Sequence, residues 1–105
     1  MLRVYDVMID VLKGLRPVLM QIEKHDRDLG NQLRRAASSV ALNMGEGSGS
    51  RGGTRTMRYR TALGSAVETA ACLDVAMALG YVEHVDQELL AKITHVRAVM
   101  ARVVM

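Results

Sequence analysis

The stretch DLGNQLRRAASSVALNMGEG (Asp28–Gly47) decides the fold. Leu29, Leu33, Ala36, Val40 and Met44 recur at helical spacing and give it one apolar face. Arg35, Ser39, Asn43 and Glu46 fall in one narrow polar sector on the other side when residues advance about 100° each, with Gln32 close by. Ala36, Ala37, Ser38, Ser39 and Ala41 are small enough to let a neighbouring helix approach closely. Either Asp26 or Asp28 is placed to cap the helix at its start.

Three further segments share this period. Val4, Met8, Val11, Leu15, Val18 and Ile22 form a seam that continues through Pro17, which predicts a kink there and not an end. Tyr59, Leu63, Ala66, Ala70, Leu73 and Met77 mark the third helix, with Thr54 as its N-cap and Gly80 as a left-handed stop. Tyr81 is then placed to fold back on the last turn. Asp86 caps the fourth helix, Val85 and Leu90 occupy staple positions, and Leu89, Ile93, Val96, Met100 and Val103 are its seam. Between the second and third segments, Gly45–Gly53 holds five glycines in nine residues and reads as a flexible connection.

Composition agrees with helices. The 105 residues suffice for one domain, 1–105, and half are apolar, yet there is no Trp or Phe and only three Tyr. The core is therefore expected from Leu, Val, Ile, Met and Ala. No run approaches the roughly 18 apolar residues of a spanning helix, and lone Cys72 has no disulfide partner in the chain. A soluble cytoplasmic protein without a secretory leader or membrane association is expected, folded as an all-α, antiparallel up-down-up-down four-helix bundle. An apolar share of 50% also predicts that the bundle associates with copies of itself.

Charge is unevenly spread. The net charge is +3, but residues 27–60 carry seven arginines against Asp28 and Glu46, a local excess of +5. Arg51, Arg55, Arg58 and Arg60 gather at the start of the third helix, where each cation opposes the helix dipole. A bound polyanion relieves that opposition and uses the free backbone N–H groups. Arg58 and Arg60 project about 200° apart, so one subset is suited to phosphate and the other to carboxylates. Arg34, Arg51, Arg55, Arg58 and Arg60 are the candidate phosphate contacts, without base-specific readout, since neither a recognition helix nor a stacking platform is visible. Arg35, Ser39, Asn43 and Glu46 are candidates for structural or intersubunit contacts. Arg35 and Glu46 lie about 16 Å apart along the helix, so each needs a partner elsewhere.

Catalysis is the least supported class. Gly47-Ser48-Gly49-Ser50-Arg51-Gly52 matches G-x-G-x-x-G, but a helix precedes it where a dinucleotide fingerprint requires a strand. His25, His84 and His95 lack the spacing of helical metal ligands, and Ser38 and Ser39 have no neighbouring base. Cys72, between Ala71 and Leu73, reads as a core residue. No metal, cofactor or catalytic residue is expected.

The Asp28–Gly47 stretch, with its Arg-Arg-Ala…Ser…Asn…Glu-Gly pattern, resembles the signature of bacterial four-helix-bundle proteins named for intervening sequences of 23S ribosomal RNA genes. Tyr59-Arg60-Thr61-Ala62-Leu63-Gly64-Ser65-Ala66-Val67-Glu68 is similar to their second signature, and Leu79-Gly80-Tyr81 to their turn into the last helix. That family is related to the accessory variability protein of diversity-generating retroelements. The resemblance implies a homo-oligomer, a ring-shaped homopentamer, that binds RNA or DNA and associates with a reverse transcriptase. It also gives the stripe of Arg35, Asn43 and Glu46 a structural or intersubunit role. Two departures stand out: the segment before the third helix is unusually rich in Gly and Arg, and Met, Ala and Val replace aromatic residues common in relatives. The rival reading is a scaffold or protein-interaction module that binds no nucleic acid.

Overall fold

The computed structural model describes residues 3–105. Its elements are α1 (Arg3–Glu23), α2 (Arg27–Ser48), α3 (Gly52–Ala78) and α4 (Gln87–Val103), with no strand among the described residues. Each helix packs on its neighbours in sequence, and α4 closes back on α1. This is the expected antiparallel four-helix bundle, 42 × 24 × 20 Å.

α1 buries all six residues of its seam, Val4 to Ile22, and runs unbroken past exposed Pro17. The Ile22 carbonyl accepts from the N–H groups of His25 and Asp26 at 2.9 and 2.8 Å, which reverses the chain. Asp26, not Asp28, then caps α2: its side chain accepts from Leu29 N–H at 2.9 Å.

The glycine-rich connection differs from its reading. α2 continues to Ser48 and α3 begins at Gly52, so only Gly49–Arg51 joins them. Glycine's poor helix propensity is a cost of about 1 kcal/mol per residue, which tertiary contact overrides here. Gly47 is buried under the Tyr59 ring, where a Cβ would lie 2.5 Å from Cε1. Arg51, not Thr54, is the N-cap residue of α3, and no side chain caps it.

The buried face of α3 is also rotated from the expected one. Tyr59, Ala62, Ala66, Thr69, Cys72, Leu73 and Ala76 point inward, whereas Leu63, Ala70 and Met77 are half-buried at its edge. α2 presents Ala36, Ala37, Val40 and Ala41, and small residues on both helices allow the close approach that turns α3's alanines toward the core. α3 ends as expected at Gly80, φ +75°, with Tyr81 N–H bonded to the Ala76 carbonyl at 2.9 Å. The Tyr81 ring, however, stacks on His25, with centroids 5.2 Å apart and planes 4° from parallel. Val82 and Val85 are buried in the link, and Asp86 stands at the N-cap of α4 without a side-chain bond. Leu89, Ile93, Val96 and Met100 are buried, but Val103, the last of the expected seam, is exposed beyond the core.

Candidate nucleic-acid interface

The five arginines proposed for phosphate divide by their partners. Arg34 Nη2 donates to Glu23 Oε1 at 2.6 Å and Nη1 to Asn31 Oδ1 at 3.1 Å, tying α2 to the end of α1. Arg58 Nη1 lies 2.9 Å from Glu46 Oε2 across α2 and α3. Both pairs are largely solvent-exposed, where such bridges contribute about 0–1 kcal/mol and leave the cations available to a stronger anion. Arg55 Nε donates to the carbonyls of Gly47 and Ser50 at 3.2 and 2.8 Å, and Nη2 to that of Ser48 at 3.5 Å. It thereby covers the negative end of the α2 dipole, which accounts for a cation so near the start of α3. Arg51 and Arg60 are exposed and have no side-chain partner among the described residues.

The polar stripe of α2 turns largely toward α3. Asn43 Nδ2 donates to the Ser39 carbonyl at 2.9 Å and to Ser39 Oγ at 3.1 Å, and Ser65 Oγ donates to Ser39 Oγ at 2.8 Å. Gln32 Nε2 donates to Glu68 Oε2 at 3.2 Å. Glu46 finds its complement in Arg58 on the neighbouring helix, whereas Arg35 stays exposed on the wall of a shallow groove. That groove, about 490 Å³, also takes in Arg34, Ser38, Leu42 and Arg58.

The topology adds residues that the linear charge window leaves out. An antiparallel bundle brings the start of α1 and the last turns of α4 to the end where α2 passes into α3. Arg3 and Arg102 therefore join Arg51, Arg55, Arg58 and Arg60 there, with Asp6 and Glu46 as the acidic groups nearest that end, while Arg97 lies beside Leu63 and Val67 at the middle of α3. The opposite end carries Glu23, Asp26, Asp28, Asp74, Glu83, Asp86 and Glu88 against Lys24, Arg27, Lys92 and the Arg34 that bridges to Glu23. The bundle has one basic and one acidic pole. The signal for Arg3 and Arg102 was present in the sequence once the up-down order was read, because that order fixes which termini meet.

At the acidic pole, the His25–Tyr81 stack borders an open cleft that includes Gln21, Lys24, Gly80, Glu83 and His84. An aromatic pair thus exists that residue spacing does not reveal, at the end opposite Arg51, Arg55, Arg58 and Arg60. Cys72 is buried, and its thiol pKa is raised first by that burial and then by the nearby Glu68 carboxylate. Such a shift disfavours the nucleophilic thiolate. No group of three or more His, Cys, Asp or Glu suited to a metal ion occurs among the described residues.

The family model for 23S rRNA-intervening sequence proteins matches residues 2–102. Among solved structures, the bundle is similar to a protein of unknown function from the S23 ribosomal protein family of Bacteroides thetaiotaomicron VPI-5482. The two share 15% sequence identity with a TM-score of 0.81, over 96% of this chain and 97% of the other. That likeness extends to the whole four-helix arrangement. No curated protein matches the sequence.

Proposed function

The chain belongs to the 23S rRNA-intervening sequence protein family, and we propose that it is a non-enzymatic, self-associating bundle that binds RNA or DNA phosphates through its basic pole. The convergence of arginines from α1, α3 and α4 on one end carries this reading. Arg51, Arg58 and Arg102 are the principal contacts, Arg3 and Arg60 flank them, and Arg55 holds the joint that positions Arg51. Arg34, paired with Glu23 on the flank of the bundle, has a secondary part.

The physical basis is the low cost of exchanging partners. The Arg58–Glu46 bridge is exposed, so a phosphate can replace the carboxylate without uncovering a buried charge. The exposed N-terminus of α3 adds backbone N–H groups that no side chain caps. Binding of this kind reads phosphate spacing and not base identity. The ring of five subunits and the reverse-transcriptase association implied by the family resemblance belong to the same proposal, with the groove around Arg34, Arg35 and Leu42 as the surface for a protein neighbour.

Binding to structured RNA and to duplex DNA across a salt series tests the proposal. Several arginine–phosphate contacts predict a log–log slope near −0.9 per phosphate on duplex DNA. Arg51→Ala, Arg58→Ala and Arg102→Ala should each make that slope shallower. No binding at low salt would favour the scaffold reading, for which the Arg34–Glu23 and Arg58–Glu46 bridges are the supporting observation.

A further inference from the structure

Glu46 stands where it does least for its own helix. It lies in the last turn of α2, where the helix dipole is negative and a carboxylate opposes it. From there its side chain crosses to α3, with Oε2 2.9 Å from Arg58 Nη1. The Glu46 and Arg58 side chains are 54% and 44% exposed, so the bridge adds little to the stability of the fold. The bridge of Arg34 to Glu23 differs, because Glu23 packs over buried Gly30, where a Cβ would lie 2.6 Å from Glu23 Cγ. Glu23 is thereby fixed at the corner between α1 and α2, whereas Glu46 has open solvent to turn into.

What Glu46 does control is Arg58. Of the two acidic groups nearest the basic pole, Asp6 and Glu46, only Glu46 is paired with an arginine among the described residues. We infer that Glu46 is a built-in competitor for phosphate: it occupies the Arg58 guanidinium while the pole is empty and yields it to a phosphate of a bound strand. The inference rests on the phosphate-binding reading of the pole and adds how that site is regulated. A carboxylate tethered on the neighbouring helix acts at a high effective concentration, which a separate anion in solution does not match. A phosphate on a strand already held by Arg51 and Arg102 has the same intramolecular advantage, and it displaces the carboxylate. Arg58 therefore engages after the other arginines. Displacement leaves Glu46 unpaired beside the strand, so each binding event loses one bridge and sets two like charges near each other.

Affinity for duplex DNA at one low salt concentration tests this, with Glu46→Gln, Asp6→Asn, Arg58→Ala and Glu46→Gln/Arg58→Ala set beside the wild type. Glu46→Gln is expected to bind about three- to fivefold tighter, the upper range of what an exposed bridge withholds. Asp6→Asn removes the same charge from that end without breaking a bridge, and is expected to gain at most about twofold. In the Arg58→Ala background, Glu46→Gln is expected to do no more than Asp6→Asn does. Equal gains from Glu46→Gln and Asp6→Asn, or a Glu46→Gln gain that survives the loss of Arg58, overturn the inference and leave the phosphate site standing. Unchanged affinity in both Arg51→Ala and Arg102→Ala overturns the phosphate reading, and this inference with it.

Discussion

The chain reverses direction at both poles of the bundle, but it is held there by different means. At the acidic pole the supports are local. Asp26 caps α2 by accepting from the Leu29 N–H three residues on, and Gly80 takes the left-handed backbone that lets Tyr81 N–H reach Ala76. At the basic pole no side chain caps the start of α3 at the joint Gly49–Arg51. Arg55 bonds back to three carbonyls of the preceding segment, and the Tyr59 ring lies across Gly47. At one pole each turn is set by residues next to it, with the His25–Tyr81 stack joining the two turns; the other is set by contacts that exist only once α3 has folded onto α2.

This contrast predicts where substitution is felt. Tyr59→Ala should be the most damaging change, by about 3–5 kcal/mol, because it empties a buried aromatic site. Gly47→Ala should cost about 1–3 kcal/mol through overpacking against that ring. In a Tyr59→Ala background the same Gly47→Ala change should become neutral or stabilising, as helix propensity takes over. Chemical denaturation of the four variants measures this coupling, and additive effects would mean that Tyr59 does not dictate the glycine.

Arg55→Ala should come next, by about 1–2 kcal/mol, since it leaves the carbonyls at the end of α2 to water. Its mark should be local: faster amide exchange around Gly49–Arg51, with the acidic pole unaffected. Asp26→Ala should produce the converse pattern, a loss of about 1 kcal/mol and faster exchange at the start of α2. If either substitution loosened both poles equally, the distinction between them would fail. Glu46→Gln should have the smallest effect, at most about 0.5 kcal/mol in thermal unfolding, because its bridge to Arg58 is exposed.

Cys72 lies between the poles and offers a check on the core. Its raised thiol pKa favours the protonated group in the fold. That contribution is present below the usual thiol range and is lost as pH rises toward the folded-state value. Native protein at neutral pH should therefore resist alkylation at Cys72, and rapid labelling without unfolding would contradict its burial.

The same contrast explains what could be read from the residues. The seams of α1 and α2, the Gly80 stop and the four-helix order were legible, because helical period and capping chemistry act over a few residues. The extent of α2 was not, since Gly45 and Gly47 lower helix propensity and packing against Tyr5 and Tyr59 offsets them; nor was the start of α3 at the exposed Gly52 and Gly53. The rotated face of α3 escaped for a related reason: which of its many apolar residues turn inward depends on the small residues of α2. Of the candidate site, the arginine cluster was visible in the linear charge count. The engagement of Arg34, Arg55 and Arg58 within the chain was not, because apart from Asn31 their acceptors lie five or more residues away, on the preceding helix or the joint after it. Arg3 and Arg102 fall outside any contiguous charge window, and only the up-down topology brings them to the same end.

The most direct measurement compares the poles by their affinity for duplex DNA in a salt titration. The triple variant Arg51→Ala/Arg58→Ala/Arg102→Ala is set beside Lys24→Ala/Arg27→Ala at the acidic pole. The account predicts that the first loses most of its affinity, with a slope reduced by about 0.9 for each phosphate contact removed, while the second binds as the wild type does. Equal losses from both poles, or none from the basic one, would contradict a phosphate-binding surface built where the arginines converge.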